Sequence, residues 1–439
     1  MSEWKDIPKR KLERVVFKLQ KRIYKASQRG DFKAVRRLQK TLIRSWSARC
    51  LAAHRITQDN QEEKRSLVIH TMYDRALQAL VKQALEPEWE ARFEPNSYGF
   101  RPGRSCHDAI GQIFTATRYK AKYVLVAEFA KCFDCIDHKA LLEKLNTFPF
   151  IRRQVRAWLK AGLMDKEVFC KTSEGTLQGG VISLLLANIA LHGMETLIKQ
   201  IFLERTVWEN GKSVRTAAPD VIRYANVFVV LHEEISVVQR CQQIIAEWLT
   251  GMSLELEQDK TRLTHTLHRY ELQEPGFDFL GFSVKQHPCG KYQSGKFNGT
   301  LLGFKTTIKP SKKKLKVHQE RISSIIDAHK SASQEALIKT LNPVIRGWAN
   351  YYSTIVSKET YEEQDHLVYQ KLKAWANRRH PNKNAGDIAK KYWQTIEGRS
   401  WRFATKQEGN NPMRLLTHGE TPVVHYAKVE GESSSYNGD

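Results

Sequence analysis

The sequence predicts an α+β fold, and three observations point to it. Residues 8–54 carry apolar side chains at roughly helical spacing, with Lys and Arg on the other faces. Tyr123–Phe129 is a continuous apolar run interrupted only by Glu128, which is typical of a buried strand. Val221–Leu231 has apolar runs on both sides of a small polar tip, the pattern of a β-hairpin. The strand and the hairpin can lie side by side in one sheet, with helices before, between and after them.

Turn and capping residues bound some of the predicted elements. Arg29-Gly30-Asp31 separates two helices in the first region, and Asp137 is placed to cap a helix that ends at Leu145. Further helices are predicted over residues 72–93, 184–198, 235–250, 318–353 and 364–380. Gly, Asn, Pro and Ser accumulate from residue 407 onward, so the end of the chain, residues 431–439, is predicted to be frayed.

The charge balance indicates a polyanionic partner. The 439 residues include 71 Lys and Arg against 47 Asp and Glu, a formal net charge of +24. The excess is uneven, because residues 1–45 hold 15 Lys and Arg against 4 Asp and Glu. RNA, DNA and an anionic membrane are the candidates, and the clustering favours a nucleic acid over a merely soluble basic protein.

The cysteines and the apolar runs indicate a reducing, aqueous compartment. Seven dispersed cysteines argue against a disulfide framework, and we interpret Cys132 and Cys135 as two buried thiols because no second pair completes a zinc site. The N-terminus has no apolar stretch for a secretory signal, and Leu177–Leu191 is too short and polar to span a membrane. The sequence thus predicts a cytoplasmic protein and no membrane partner.

Seven short strings stand in one order along the chain, and together they are far more specific than any one alone. They are Ser97–Ser105, Ala130–Asp134, Gln178–Ser183, Arg223–Ala225, Lys260–Arg262, Phe279–Phe282 and Leu341–Tyr352. In this order they closely resemble the reverse transcriptase/maturase that bacterial group II introns encode. The resemblance covers nearly the whole chain.

The resemblance implies a right-hand polymerase, with fingers and palm of reverse-transcriptase type followed by an all-α thumb, the maturase domain X. It divides the chain into a basic N-terminal helical extension (1–60), truncated fingers and palm (61–304), the thumb (305–406) and a basic or disordered tail (407–439), the remnant of a DNA-binding region. Such proteins bind the structured intron RNA that encodes them and help it to splice. They also copy RNA into DNA when the intron, a mobile genetic element, invades a DNA target. The sequence leaves the oligomeric state open, a homodimer included.

Three positions of the polymerase centre depart from the family pattern. Glu128 stands where the family has its first metal-binding aspartate, and Asn226 and Val227 replace both aspartates at the hairpin tip. The resemblance implies Mg²⁺ as cofactor, yet Mg²⁺ favours hard anionic oxygen ligands and valine offers none. Glu128 is the one remaining candidate ligand, a methylene longer than the aspartate that it replaces. We therefore expect that the centre does not hold two ions productively.

Other departures surround this centre. Leu177 and Leu184 occupy family proline positions. In the family, a long segment of the fingers separates two short sequence strings. In this chain the two strings adjoin at Asp59–Arg65, so that part of the fingers is predicted to be missing. The chain also stops where many relatives continue into a zinc-bearing HNH nuclease, which we therefore expect it to lack.

Several residues near the centre are predicted to contact nucleic acid. Arg101 and Arg104 flank a Pro-Gly turn and suit phosphate contacts, with surface salt bridges as the alternative. The resemblance implies that Gln178, Gly179 and Gly180 form a tight turn that approaches the primer-template. It implies that Phe133 screens the sugar 2′ position. It also implies that Lys260 and Arg262 form a basic pair on the nucleotide and primer side. The alternatives are a core side chain for Phe133 and plain turns for the others.

The thumb interleaves charge with aromatic side chains, as RNA-stacking surfaces do. The residues concerned are Arg346, Trp348, Tyr351 and Tyr352. Trp348 and Tyr352 stand at helical spacing, so a core position suits them equally well. Arg378 and Arg379 form a basic cluster better suited to phosphate than to a core.

Three functions remain open at this point. The first is an RNA-binding maturase that assists splicing and has lost polymerase activity. The second is an active RNA-directed DNA polymerase with a variant metal site, and the third is a decayed remnant without activity. Phosphate binding distributed over many side chains survives the loss of a few residues, whereas a two-metal centre does not, and this favours the first.

Overall fold

The computed structural model describes residues 8–62, 72–130, 136–160, 163–165, 168–170, 180–203, 205–209, 212–355, 357–396, 398–405, 412–424, 426, 428–429 and 433–437. Its contacts divide the chain into two units. The first unit comprises residues 1–116, 120–265 and 428–439, and the second comprises residues 117–119 and 266–427. The four-part division drawn from the resemblance, with its boundary after residue 304, stays a prediction. Within the described ranges, no helix combines the length and the apolar composition needed to cross a bilayer.

The first unit begins with a layer of four helices. They are α1 (Lys9–Gln28), α2 (Phe32–Arg44), α3 (Trp46–Glu62) and α4 (Met72–Glu90). The predicted turn before α2 is confirmed, because the Asp31 side chain accepts a hydrogen bond from the Ala34 backbone amide at 2.9 Å and caps the helix. The buried Glu88 carboxylate joins α4 to α2, because its Oε2 lies 2.7 Å from nitrogens of both Arg36 and Gln39 on α2.

The acidic strand and the hairpin predicted from the sequence are neighbours in one antiparallel sheet. The strands that the structure describes in this unit are β1 (Tyr123–Glu128), β2 (Leu163–Asp165), β3 (Val168–Cys170), β4 (Arg205–Glu209), β5 (Lys212–Thr216), β6 (Asp220–Tyr224), β7 (Val227–His232) and β8 (Arg262–His265). The sheet has the order β6-β7-β1-β8, with β1 in the centre. The two remaining pairs, β2–β3 and β4–β5, are separate short hairpins.

Helices pack around this sheet, and one predicted helix is wrong. The helices are α5 (Cys106–Thr117), α6 (His138–Leu145), α7 (Pro149–Leu159), α8 (Ser183–Ala190), α9 (Met194–Ile201) and α10 (Ile235–Thr250). The cap of α6 is confirmed, since Asp137 accepts from the Ala140 amide at 2.6 Å. The single helix predicted over 184–198 is instead α8 and α9, broken where Gly193 adopts a φ of +106°, a left-handed conformation that a helix cannot continue.

The second unit combines a small sheet with a helical domain. Its elements are β9 (Phe277–Phe279), β10 (Phe282–Pro288), β11 (Lys296–Phe297), β12 (Thr300–Leu301), β13 (Phe304–Pro310), α11 (Lys312–Ala328), α12 (Gln334–Tyr352), α13 (Lys358–Arg379), α14 (Ala385–Tyr392), β14 (Trp393–Ile396) and β15 (Arg399–Phe403). The predicted helices over 318–353 and 364–380 are therefore confirmed. Their core is formed by buried side chains such as Ile322, Leu337, Leu341, Leu372 and Trp375.

Residues near the end of the chain pack against its beginning. In the first unit Tyr436 is only 4% exposed, and its ring centroid lies 5.9 Å from that of Phe17 and 5.7 Å from that of Tyr24. The Arg104 side chain donates a hydrogen bond to the carbonyl oxygen of Ser433 at 2.8 Å. The prediction of a frayed end is therefore wrong for the described residues 433–437, because apolar burial of an aromatic ring holds them.

Candidate functional site

The three positions that the resemblance assigns to metal-binding aspartates lie together at one end of the sheet. In the register of β1 with β7, Glu128 stands opposite Val227. Ala225 and Asn226 form the turn between β6 and β7, and Ala225 takes a left-handed φ of +55°. The Asn226 carbonyl accepts a hydrogen bond from the Phe129 amide at 2.9 Å, so the turn is fastened to the end of β1.

Both oxygens of the Glu128 carboxylate are engaged by protein groups. Its Oε1 accepts a hydrogen bond from Asn226 Nδ2 at 2.9 Å, and its Oε2 lies 3.0 Å from Lys260 Nζ. The hydrogen bond and the charge of Glu128 raise the pKa of Lys260 above its ordinary value. The backbone delivers the lysine to this place, because Glu257 N donates to Glu128 O at 2.8 Å and a short 3-10 helix, Gln258–Lys260, follows.

A buried network behind the turn fixes its position. The Arg223 side chain is buried and donates to Asn188 Oδ1 at 3.0 Å and to Ser97 Oγ at 2.6 Å. A methyl group added at Gly99 would stand 2.2 Å from the Ala225 amide nitrogen, so only glycine fits there. Arg223 was missed as a structural residue, although a lone arginine within an apolar strand pattern is a usable signal for a buried, paired charge.

The two arginines of the Pro-Gly turn have different surroundings. Arg101 is buried, and its Nε and Nη2 each lie 3.0 Å from an oxygen of the buried Glu90 carboxylate. Its Nη1 donates to the carbonyls of Glu94 and Ser97. These contacts form a salt bridge in the interior rather than the surface salt bridge of the alternative. We therefore do not propose Arg101 as a phosphate contact. Arg104 is half-buried against Tyr98 and Ser433.

The structure describes only some of the remaining palm residues that were predicted to contact nucleic acid. Phe133, Gln178 and Gly179 lie outside the described residues. Gly180 is half-buried, and its carbonyl accepts from Ser183 N at the start of α8. Arg262 is exposed at the first position of β8, two residues after the lysine that contacts Glu128.

In the thumb, the aromatic side chains face inward. Trp348 stacks on His318 with centroids 4.5 Å apart, and Tyr352 is buried with its hydroxyl donating to Gly281 O at 3.1 Å. Tyr351 is half-buried and donates to Leu280 O at 3.1 Å. This placement favours the core alternative for Trp348 and Tyr352, and an RNA-stacking role for these side chains stays a prediction.

Three thumb arginines are more accessible. Arg346 is exposed on α12, and Arg378 is exposed on α13, 3.9 Å from Asp327. Arg379 is half-buried and donates to the carbonyls of Lys330 and Ala332, both at 2.8 Å, so it fastens the end of α13 to the loop after α11.

The sequence predicts a basic, phosphate-binding helical surface within residues 8–54, but it does not single out the groove that α2 forms there. An open groove of about 610 Å³ is lined by Phe32, Lys33, Arg36, Arg37, Lys40, Thr41 and Arg44. The signal was present, because Lys33, Arg37, Lys40 and Arg44 recur at helical spacing without an intervening acid. One face of a helix therefore carries four cations, the charge pattern of a phosphate-binding surface.

Comparison with known families finds models that match three parts of the chain. A family model described as reverse transcriptase (RNA-dependent DNA polymerase) matches residues 57–284, just over half of the chain. The chain belongs to the reverse transcriptase family. Models for the N-terminal domain of reverse transcriptase and for the maturase-specific domain of group II introns match residues 4–80 and 315–393. The resemblance to group II intron reverse transcriptase/maturases is thus confirmed, as is the α+β fold class with fingers and palm followed by a helical thumb.

Curated relatives of this reverse transcriptase include intron-encoded proteins. Protein YkfC of Escherichia coli K12 is 30% identical over 246 residues, 49% of this chain and 62% of that protein. The group II intron-encoded protein LtrA of Lactococcus lactis subsp. cremoris is 31% identical over 212 residues, 47% of this chain and 33% of LtrA. The matched part thus spans less than two thirds of either relative. Among solved structures, apo telomerase from Candida tropicalis aligns at 12% identity with a TM-score of 0.34, covering 48% of this chain and 43% of that one.

Reverse transcriptases generally use Mg²⁺, and the palm of this family member offers it little. Mg²⁺ prefers several hard anionic oxygens in octahedral geometry. Of positions 128, 226 and 227, only Glu128 carries a carboxylate, and it already contacts an ammonium and an amide N–H, while Val227 presents only hydrocarbon. In the part of the chain that the structure describes, no group of three or more His, Cys, Asp or Glu side chains is arranged to hold a metal ion. The residues at the centre therefore do not fit the two-ion site.

Proposed function

We propose that this chain is a group II intron maturase that binds structured intron RNA and assists its splicing, and that it has lost RNA-directed DNA polymerase activity. Family membership supports the RNA-binding part, since the maturase-specific model covers residues 315–393 of the thumb. The net charge of +24 supports the same partner. A DNA target and a homodimer stay predictions, as does the cytoplasmic, ribonucleoprotein-associated location.

The contact between Glu128 and Lys260 is the main observation that supports the proposed loss of polymerase activity. In two-metal phosphoryl transfer, the metal ions supply most of the charge stabilisation for the attacking and leaving oxygens. A lysine ammonium at 3.0 Å neutralises the carboxylate and, unlike Mg²⁺, has no open coordination positions for a triphosphate or a primer hydroxyl. Productive Mg²⁺ binding is therefore not part of the proposed function.

The exposed cations are suited to bind the phosphates of an RNA. The α2 groove and the accessible Arg346 and Arg378 present cationic side chains without needing any one of them to be placed to a fraction of an ångström. The proposal keeps the sequence-based division into N-terminal extension, truncated fingers and palm, thumb and tail.

The test combines RNA binding, splicing and primer extension. The purified chain is titrated onto a group II intron precursor RNA at several salt concentrations, and splicing is followed in the same mixtures. We expect salt-sensitive binding, faster splicing and no primer extension, with a reverse transcriptase that has all three aspartates as positive control. Replacing Arg37, Lys40 and Arg44 with Gln should lower the salt slope by about one for each lost phosphate contact.

Each part of the proposal can fail separately. Another substitution of three exposed cations, Lys139→Gln with Lys160→Gln and Arg240→Gln, is the matched control for nonspecific charge loss. Absence of salt-sensitive binding would overturn the maturase assignment. Primer extension by the unaltered chain would overturn the loss of polymerase activity and restore the polymerase alternative.

A further inference from the structure

A hairpin of the second unit is basic throughout. From Phe282 to Pro310 the sequence contains five lysines and neither Asp nor Glu. Strands β10 and β13 form its stem, paired from Phe282–Pro310 to Pro288–Phe304. The smaller hairpin β11–β12 forms its outer part, where all four strand residues are exposed. We call residues 282–310 the basic hairpin.

Local sequence makes the outer part of the basic hairpin rigid. Asn298 and Gly299 connect β11 to β12 with φ angles of +49° and +81°. An Asn-Gly pair with both φ angles positive is the preferred two-residue turn of a twisted β-hairpin. The Phe297 side chain, directly before this turn, is therefore presented from a defined backbone rather than from a loose loop.

Aromatic rings are exposed on the basic hairpin. Tyr292 is 99% exposed and Phe297 is 40% exposed. The Phe297 ring stacks on Tyr119, with centroids 4.4 Å apart and planes inclined by 29°. The Arg118 guanidinium lies 4.4 Å from the centroid of Tyr119. Phe297, Tyr119 and Arg118 thus place two stacked rings and a cation side by side, and Tyr292 adds a further exposed ring on the same hairpin.

Buried hydrogen bonds hold this arrangement together. Gln286 of β10 is fully buried, and its Nε2 donates to Thr117 O at 2.7 Å, two residues before Tyr119. The Gln286 Oε1 accepts from Thr266 Oγ1 at 2.6 Å. The segment that carries Arg118 and Tyr119 is therefore fixed to the stem of the hairpin, and the aromatic stack is preformed.

We propose that the basic hairpin is a stacking platform for an unpaired nucleic-acid strand. Large aromatic rings are rarely left in water without a partner, and a base has a π-face for each exposed ring. Lys291 and Lys296 flank the rings and match the phosphates that accompany unpaired bases. A duplex fits poorly, because its bases are already stacked on one another. The basic hairpin shares no residue with the palm centre, and the proposal does not depend on the loss of polymerase activity.

The test measures stacking directly. A short unstructured RNA that carries a fluorescent 2-aminopurine is titrated with the full chain, because stacking on an aromatic ring quenches the fluorophore. Tyr292→Leu and Phe297→Leu should each weaken binding about tenfold and reduce the quenching, given the usual stacking contribution of one base. Tyr292→Phe keeps the ring and should behave as the unaltered chain. Tyr73→Leu, which removes a 75% exposed ring from the first unit, is the matched control.

The outcomes separate this inference from the proposed function. Leu variants that bind and quench as the unaltered chain does would overturn the stacking platform, even where salt-sensitive binding of intron RNA persists. Weakened binding of a blunt RNA duplex by the same variants would also overturn it, because stacking requires unpaired bases. A DNA strand of the same sequence forms a second arm, and equal quenching there assigns the contact to bases rather than to the sugar 2′-hydroxyl. Because Tyr292 is fully exposed, thermal melting should be unchanged in its variants.

Discussion

The Lys260 ammonium lies 3.0 Å from the Glu128 carboxylate, at the end of the sheet where the resemblance assigns metal-binding aspartates. A covalently tethered cation thus stands beside the one carboxylate that this centre retains. The Asn226 side-chain amide donates a hydrogen bond to the other oxygen of the same carboxylate. Both oxygens of the carboxylate are thus engaged by groups of the protein itself.

Restoring the three aspartates should create a metal site. We expect the variant Glu128→Asp/Asn226→Asp/Val227→Asp to bind Mn²⁺, because it supplies three carboxylates at one end of the sheet. The unaltered chain should leave the electron paramagnetic resonance signal of free Mn²⁺ unchanged at concentrations where the variant removes it. This readout does not depend on polymerase activity, which also requires the fingers.

An isolated freed carboxylate provides the control. Lys309 and Glu359 form a comparable pair at 2.7 Å, and Lys309→Met frees a single glutamate elsewhere in the chain. This variant should not bind Mn²⁺. Mn²⁺ uptake by the unaltered chain equal to that of the triple variant would contradict the interpretation of the palm.

Breaking the buried Arg101–Glu90 pair should destabilise the first unit. Both side chains are almost fully buried, so Arg101→Met leaves an uncompensated carboxylate in the interior. Urea denaturation should show a loss of about 3–5 kcal/mol in the free energy of unfolding. Lys339→Met, which breaks the exposed pair with Glu335, should leave the stability nearly unchanged. A small effect of Arg101→Met together with a reduced salt slope of RNA binding would return Arg101 to the phosphate contacts.

The close approach of Gly99 to the hairpin turn predicts a large effect of one methyl group. Gly99→Ala would place a carbon 2.2 Å from the Ala225 amide nitrogen, and backbone must move to relieve the contact. The free energy of unfolding should fall by about 1–3 kcal/mol or more. Gly347→Ala is the matched control, because nothing lies within 4 Å of the added carbon and the site is inside α12. It should stabilise the protein by about 0.5–1 kcal/mol, so a loss in both variants would contradict the steric explanation.

His318 predicts acid sensitivity of the second unit. Burial, with smaller contributions from His418 and Arg321, lowers the pKa of His318 from 6.5 to about 3. Because the folded-state pKa lies below the unfolded value, the unfolded chain takes up the proton first. The stability that the neutral ring contributes is therefore complete above pH 6.5 and is lost as the pH falls toward 3, by at most about 1.4 kcal/mol per pH unit.

Denaturation curves at several pH values check this prediction. His318→Gln should flatten the pH dependence of the urea midpoint below pH 6.5, whereas His366→Gln, at an exposed position of α13, should not. His192 in the first unit has its pKa lowered to about 3 in the same way, so some acid sensitivity should persist. An unchanged slope in His318→Gln would show that the ring is already protonated in the folded state.

Local patterns predicted most of the fold, because the information lies within a few residues. Asp137 stands one residue before α6 and caps it, and the hairpin follows from apolar runs around a short turn. The break between α8 and α9 was missed, since a single glycine in an apolar helical pattern is compatible with either outcome. Only the φ of Gly193 decides it.

Contacts between distant residues could not be predicted in the same way. The sequence placed Glu128 and Lys260 in the palm by resemblance, but only the pairing of β1 with β8 brings the lysine to the carboxylate. Nor does the sequence distinguish an arginine that faces phosphate from one that neutralises Glu90, because both occur beside a Pro-Gly turn. The contact between His318 and His418, 2.8 Å between their Nε2 atoms, joins residues whose separation along the chain carries no local signal.

The packing of Tyr436 against Phe17 and Tyr24 gives the first unit a distinct order of assembly. Phe17 and Tyr24 lie on α1 and leave the ribosome well before Tyr436, the ring that packs on them. Synthesis proceeds at about 5–20 residues per second, so the nascent α1 waits for tens of seconds with these rings uncovered. During this interval the uncovered helices, rich in lysine and arginine, are open to nearby RNA before the chain closes on itself.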